Sequence, residues 1–324
     1  MKKAIITGVA GFVGSNIALY LVNLGWNVVG IDNLSYGYLD NIENLKTSKK
    51  FHFINGDVRD QQLMKDSIVR ADVIVHLAAY KIPRYGNALA TLQTNTLGTK
   101  NVLKIAENIG SKFVLASTSD VFGRNPVLPF KETSDLYFGA PGVKRWAYAI
   151  SKLYDEHLCL AKAAEKGVRV SILRYFGGYG PRQNLSWWGG PQSVFINQVL
   201  ENQPLTVHGD GMQTRTFTFV DDMVEGTVRV VERANTNGEI FNIGAEQPIS
   251  IIELAQKIWK LMCPDLPPNI THVPYTTFGR YEDVRHRIPD TSKMQQLLNF
   301  KASITLDEGL PVTIAWQKVI RERR

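Results

Sequence analysis

The chain has 324 residues, 44% hydrophobic and 21% charged, which is ordinary for a soluble globular enzyme of one or two domains. No apolar run approaches the ~18 residues of a membrane span, and the opening MKKAIITG runs into a strand rather than a signal-peptide stretch, so a cytoplasmic protein with no membrane partner is expected. The net charge of +7 comes from scattered cations, with short clusters only at Lys46–Lys50 and Arg321–Arg324, which argues against a nucleic-acid partner and leaves room for a phosphorylated small molecule. Cys159 and Cys263 lie far apart in apolar periodic stretches and the histidines form no HExxH-type pair, so free buried thiols and no metal site are expected.

In chain order, Lys3–Thr7 is a short apolar run followed by Gly8-Val-Ala-Gly11-Phe12-Val13-Gly14. The periodic segment Ser15–Leu24 comes next, with Ile17, Leu21 and Leu24 on one helical face and Gly25 as a stop. Strand, glycine turn and helix in this order let a backbone approach a pyrophosphate at the positive end of the helix. A second strand, Asn27–Ile31, ends in Asp32-Asn33. A carboxylate there can accept hydrogen bonds from an adenosine ribose and would repel a 2′-phosphate, which favours NAD over NADP.

The alternation continues through a strand at Phe51–Asn55 with Gly56-Asp57-Val58 after it, a helix at Gln61–Val69, a strand at Val73–Leu77, a helix at Asn87–Asn108 and a strand at Lys112–Ser117. It predicts an α/β fold, a Rossmann-type doubly wound parallel sheet with helices on both faces. Ligands of such sheets sit beyond the carboxyl ends of the strands. Asp32, Asp57, His76-Leu77-Ala78-Ala79 and Ser117–Asp120 all fall there.

Tyr148-x-x-x-Lys152 puts a phenol and an ammonium one helical turn apart. A cation beside the phenol favours the phenolate, so Tyr148 could serve as a general base. Alone the pattern is common and usually means a packed aromatic beside a surface lysine. After a dinucleotide fold and a serine/threonine-rich strand end, that reading is the weaker one.

With these residues in place, the sequence resembles the extended short-chain dehydrogenase/reductase family, specifically its nucleotide-sugar epimerases, dehydratases and decarboxylases. The resemblance spans essentially the whole chain through TGVAGFVG at 7–14, GDV at 56–58, HLAA at 76–79, TNTLGT at 94–99, STSDVFG at 117–123, YAISK at 148–152 and GDGMQTRTFTFVDD at 209–222. It implies a held NAD and a transient ketone at sugar C4. Tyr148 would take the C4 hydroxyl proton, Lys152 would hold the nicotinamide ribose and lower the tyrosine pKa, and Thr118 would bond the C4 oxygen. Asp57 and Val58 would meet the adenine, and Lys81, Asn95 and Tyr175 match positions near the cofactor. It also implies a nucleotide-diphosphate-sugar substrate, UDP-linked, and a homodimer formed through the helices after Asn87 and Tyr148.

In the second half, a strand at Val168–Tyr175 leads to Phe176-Gly177, where the family usually has an asparagine that contacts substrate. Asn184–Pro191 carries Trp187 and Trp188 beside two glycines; they could pack on a base or sugar, or onto the core. A helix is expected over Pro191–Glu201, a strand over Leu205–Val207, and helices over Val220–Glu232 and Ser250–Met262, the last opened by a capping box from Ser250 to Glu253. The resemblance places Arg215 and Arg280 on the substrate diphosphate, where a guanidinium can bind bidentately. It places Arg287, in RIPD, near the sugar as in uronate decarboxylases; Arg285 reads as a solvated turn residue. The expected organisation is an NAD-binding domain at 1–176, with 217–248 returning to it, and a sugar-nucleotide domain at 177–216 and 249–324.

The groups beside Thr118 separate the possible reactions. A 4,6-dehydratase usually carries Asp-Glu there and this chain has Ser119-Asp120, so the acid for C6 is missing. Uronate decarboxylases carry Thr-Ser-Glu, one methylene longer than Asp120. Their loop after Ala79 also differs from this one, which offers Lys81 and Arg84 to hold a phosphate or uronate. The sequence places 4-epimerisation first because it requires the fewest groups, uronate decarboxylation second and 4,6-dehydration third. An NAD(P)H-dependent keto-sugar reductase is the rival of a different class.

Overall fold

The computed structural model describes residues 2–81, 87–278 and 282–322. Its first strand, β1 (Lys3–Thr7), shows how the main sheet is built. Ala4 and Ile6 point into one apolar cluster and Ile5 into another, following the two-residue period of a strand buried on both faces. The glycine turn and α1 (Phe12–Asn23) follow, then β2 (Asn27–Asp32), the short α2 (Glu43–Lys46), β3 (Phe51–Asn55), α3 (Gln61–Ser67) and β4 (Val73–His76). Next come α4 (Ala88–Ile109), β5 (Lys112–Thr118), α5 (Trp146–Lys166) and β6 (Val170–Tyr175). The helix ends have local causes. Asn87 accepts from the Leu89 and Ala90 amides to start α4, and Gly110 at φ 65° and Gly167 at φ 67° terminate α4 and α5 in the left-handed region.

After β6 the chain forms β7 (Gly177–Tyr179), α6 (Pro191–Leu200), β8 (Leu205–His208), β9 (Thr214–Phe219), α7 (Val220–Glu232) and β10 (Glu239–Ile243). It ends with β11 (Pro248–Ser250), α8 (Ile251–Met262), β12 (Ile270–Val273), β13 (His286–Arg287), α9 (Ser292–Leu298) and α10 (Leu306–Glu322). The main sheet has seven strands in the order β10-β6-β5-β4-β1-β2-β3, all neighbours parallel. The order reverses between β1 and β4, and the crevice at their carboxyl ends is where such a sheet takes a ligand. The α/β expectation therefore holds, and β10 returns from the second half to extend the sheet beside β6.

One face is closed by α1 and α7 through Ile17, Leu21, Val224 and Val228, the other by α3, α4 and α5 through Met64, Val102, Leu103 and Cys159. The first cluster continues into Phe195 of α6 and Leu254 and Ile258 of α8. The boundary at 176/177 thus stands as a proposed division of ligand roles over a shared core. Beyond the main sheet, β9 pairs with β7, β11 and β13, and β8 pairs with β12. The Ser250–Glu253 capping box is present, with Ser250 as the cap of α8.

Some boundaries differ from expectation. The first helix begins at Phe12 rather than Ser15, with Gly11 as its cap. The strand expected from Val168 begins at Val170, because Val168 is still bonded to the end of α5 through Lys162 O. Among the described residues no helix is long and apolar enough to cross a membrane, and no group of three or more His, Cys, Asp or Glu could hold a metal ion.

Candidate active site

The cleft lies over the carboxyl ends of β1, β4, β5 and β6, and its far wall comes from β9, α6 and the segment around β13. Its cavity volume of about 540 Å³ falls in the usual range for small-molecule sites. At one end is the glycine turn. Gly8 has φ +75°, and a Cβ there would lie 2.8 Å from the Ala78 amide nitrogen. A Cβ on Gly14 would collide with the Gly8 carbonyl. The N-terminus of α1 has no side-chain cap and no acidic residue in its first turn, so its positive end faces the cleft unneutralised. Gly8, Gly11, Phe12, Val13, Gly14, Leu77, Ala79 and Lys81 all line it, as does Tyr175.

Other expected cofactor residues stand behind this lining, and their side chains are used to shape it. Asp32 accepts from the Ala10 amide at 3.0 Å and the Leu34 amide at 2.8 Å, pinning the glycine turn to the loop after β2. Asn33 donates to Asp57, which also takes the Arg59 guanidinium, and the Arg59 bonds draw the Asp57 pKa down to about 2. Val58 is buried against Gly98, and the Ala78 amide donates to Thr7 Oγ1 at 3.3 Å. Asn95 is one of these residues. Its amide exchanges hydrogen bonds with the Tyr80 backbone and donates to Ser151 Oγ at 2.8 Å, so it braces the loop after β4 and is itself fully buried.

The chemical groups follow from β5 and α5. Thr118, Ser119 and Asp120 leave the end of β5 in one turn, and Tyr148 and Lys152 sit on the first turns of α5; all five line the cleft. Thr118 Oγ1 accepts from the Asp120 amide at 3.2 Å, and its side chain is near enough to Tyr148 to favour the phenolate. Burial and then Asp120 push the Tyr148 pKa up, with Thr118 and Arg287 pulling the other way, so the lowering expected from Lys152 does not set the tyrosine in this arrangement. Lys152 is buried, and burial lowers its pKa while Asp155, 3.8 Å away, partly restores it. Its ammonium has no hydrogen-bond partner among the described residues. A buried donor without an acceptor is costly, and the hydroxyls of a ribose would satisfy it.

At the other end, charges gather around Asp120. Arg287 forms an ion pair with it, and Arg145 Nη2 lies 3.3 Å from the same oxygen. Burial works to raise the Asp120 pKa, but Arg287, Arg145 and Arg215 outweigh it and hold the group well below the usual carboxylate range. Arg215 pairs with Asp283 at 3.1 Å, and Tyr275 donates to Asp283 at 2.6 Å. Lys81 donates to the Trp188 carbonyl at 2.7 Å and lowers its pKa through burial, with Asp120 opposing.

Gly177 lines the cleft without offering a side chain, and the reason is steric: a Cβ would sit 2.5 Å from the Thr216 carbonyl of the paired strand β9. Trp187 and Trp188 line the cleft inside an aromatic cluster rather than in the core. Trp188 stacks on Tyr36 at 3.9 Å and meets Tyr80 edge-on, and Trp187 stacks on His208 at 4.4 Å. The expected positions Arg84 and Arg280 lie outside the described residues, and Arg285 pairs with Asp210 on the exposed surface as expected of a turn residue. Sequence reasoning missed Arg145 and Asp283. Arg145 carried a usable signal: it precedes Tyr148 by three residues and so shares its helical face.

A family model described as GDP-mannose 4,6 dehydratase matches residues 5–313. The chain belongs to this family of extended short-chain dehydrogenases/reductases. Its members use NAD to interconvert nucleotide sugars. A UDP-N-acetyl-alpha-D-glucosaminuronate decarboxylase from Bacillus cytotoxicus is 37% identical over 323 residues, covering 98% of both chains. UDP-glucuronic acid decarboxylase 1 from Arabidopsis thaliana is 37% identical over 314 residues, covering 95% of this chain and 68% of that one. A solved UDP-glucuronic acid 4-epimerase from Bacillus cereus, in complex with UDP-glucuronic acid and NAD, is 30% identical with a TM-score of 0.84, covering 98% of this chain and 99% of that one. The sequence order of reactions, epimerisation before decarboxylation, gains no specific support from these relatives, which favour the second.

Proposed function

We propose that this protein is an NAD-dependent decarboxylase of a UDP-linked uronate. The observation that carries the reading is the cationic end of the cleft. Arg145 and Arg287 converge on Asp120 beside Thr118 and Tyr148, so an anionic C6 group would meet guanidiniums immediately next to the group acting on C4. The decarboxylase relatives support it. The ionised Asp120 argues against dehydration, because a carboxylate held deprotonated by two arginines has no proton to give a leaving C6 hydroxyl.

The residues present fit NAD: the glycine turn and the α1 N-terminus would hold its pyrophosphate, and Lys152 would hold its ribose. Bound there, NAD supplies a reversible acceptor for the C4 hydride. Tyr148 takes the C4 hydroxyl proton as the phenolate, the form that Thr118 and Arg287 beside it favour. The resulting 4-ketone lies β to the carboxylate. The C5–C6 bond breaks, its electron pair passes toward the C4 oxygen as an enolate, and carbon dioxide leaves. Thr118 and Tyr148 donate to that oxygen as charge builds on it. Protonation at C5 and return of the hydride complete the pentose.

Uronate 4-epimerisation is the second reading. It needs only Thr118, Tyr148 and the same anion-binding end, and the Bacillus cereus structure is its precedent. Incubation with UDP-glucuronate and with UDP-N-acetylglucosaminuronate, followed by NMR, separates the two. A UDP-pentose with release of carbon dioxide is expected from one of them. A C4-inverted uronate that keeps its carboxylate would overturn decarboxylation. Tyr148→Phe should reduce turnover at least about 100-fold.

A further inference from the structure

We propose that Asp155 is a positioning residue for Lys152: from behind the ammonium, it keeps that group charged and held toward the nicotinamide ribose. The inference rests on the reading that Lys152 holds the ribose of NAD. Asp155 follows Lys152 by three residues on α5, so the two share a helical face. Its Oδ2 lies 3.8 Å from Lys152 Nζ, and both side chains are shut off from solvent. Lys152 lines the cleft, whereas Asp155 is not among the residues that line it. The carboxylate therefore acts on the ammonium from inside the protein, on the side a ligand does not reach.

A buried ammonium is costly unless an opposite charge stands beside it. The elements packed around Lys152 offer few others. On α5 itself, Glu156 is engaged by Arg174 of β6 at 2.7 Å and by the Ser117 hydroxyl of β5. Burial keeps the Cys159 thiol protonated and pushes Tyr148 toward the neutral phenol. From β4, the buried His76 ring is neutral, its pKa drawn down to about 3 by burial and then by Lys152. From α4, Thr99 brings only a hydroxyl. Among the described residues, Asp155 is the carboxylate left to balance the ammonium.

Its own bonding sets it apart. Asp32, Glu156 and Asp222, the other buried carboxylates among the described residues, are held by structural donors. Asp32 accepts from the Ala10 and Leu34 amides, Asp222 from those of Ser303 and Ile304, and Glu156 from Arg174. Both oxygens of Asp155 are buried and have no hydrogen-bond partner among the described residues. It braces no loop or helix end, and Lys152 is its near charge.

The test measures the affinity of NAD-free protein for NAD by calorimetry, for wild type, Asp155→Asn and Asp155→Glu, at pH 6 and pH 9. Burial lifts the Asp155 pKa to about 7, so at pH 6 the carboxyl is protonated and asparagine mimics it. Affinities should agree there. At pH 9 Asp155→Asn should bind NAD about 10- to 100-fold more weakly, the range for losing a hydrogen bond from a charged group. Asp155→Glu should recover part of that loss. Equal weakening at both pH values would mark a structural residue and overturn the proposal, as would unchanged affinity at pH 9. If Asp155→Asn does not fold, the Asp155 pKa read by ¹³C NMR in wild type and Lys152→Met decides. Coupling requires it to rise when Lys152 is removed, and an unmoved value overturns the proposal. A wild type that binds no NAD at either pH would overturn the cofactor reading instead. The sugar plays no part in these measurements, so a protein that behaves as expected yet releases no carbon dioxide would sink decarboxylation alone.

Discussion

Asp155 sits directly behind the chemistry, fully buried, with Lys152 as its near charge. Burial raises its pKa from 3.8 to about 7, with Lys152 and the nearby Thr99 hydroxyl opposing and Glu156 adding. The folded protein therefore holds this proton more tightly than the unfolded chain. The resulting stabilisation is complete below about pH 4 and is lost as pH rises through about 7. Asp155→Asn removes that dependence, so the melting temperature of the variant relative to wild type should be higher at pH 8 than at pH 5. Equal differences at the two pH values would show that Asp155 does not titrate in this window. Tyr148 and Lys152 were legible because their spacing is local, and Thr118 because the family resemblance marks it. The partners that set their charge state were not. Asp120 reads as a lone carboxylate until Arg287, from the far end of the chain, is folded onto it, and no spacing rule links Arg215 to Asp283.

Among the elements, β1 to β6 of the main sheet were legible to within a residue or two, whereas no strand was predicted at β10. β1, β3 and α7 match expectation at both ends, because buried parallel strands read as short apolar runs and an amphipathic helix repeats every three to four residues. The second layer was not legible in the same way. β7, β11 and β13 have two or three residues each, too few for a period, and exist because β9 pairs with them. Lys112 shows how a distant side chain completes an element. From the start of β5 it donates to the carbonyls of Val230 and Arg233 and to Thr236 Oγ1, satisfying the end of α7. Lys112→Met should strand these acceptors and cost about 1–3 kcal/mol in urea unfolding. A loss of only a few tenths would mean that water replaces the ammonium without penalty.

For the whole molecule, the cleft is the product of two walls with different origins. The cofactor wall is written in the glycine turn and strand ends; the sugar wall is assembled from β9, α6 and β13, and its charges meet those of the first wall at Asp120. Tyr36 and Tyr80 from the cofactor side close on Trp188 from the other, and Lys81 reaches the Trp188 carbonyl. This bridge could not be foreseen from the tryptophans alone, since both of their expected roles lay within one wall. The central claim is that one set of groups withdraws hydride from C4, lets the carboxylate leave and returns hydride to the same carbon. The most direct measurement follows UDP-glucuronate or its N-acetylated counterpart carrying deuterium at C4 and ¹³C at C6. The account predicts ¹³C-labelled carbon dioxide and a pentose product that retains deuterium at C4. Retention of the ¹³C label in a C4-inverted uronate, or carbon dioxide release with the deuterium lost to solvent, would contradict it.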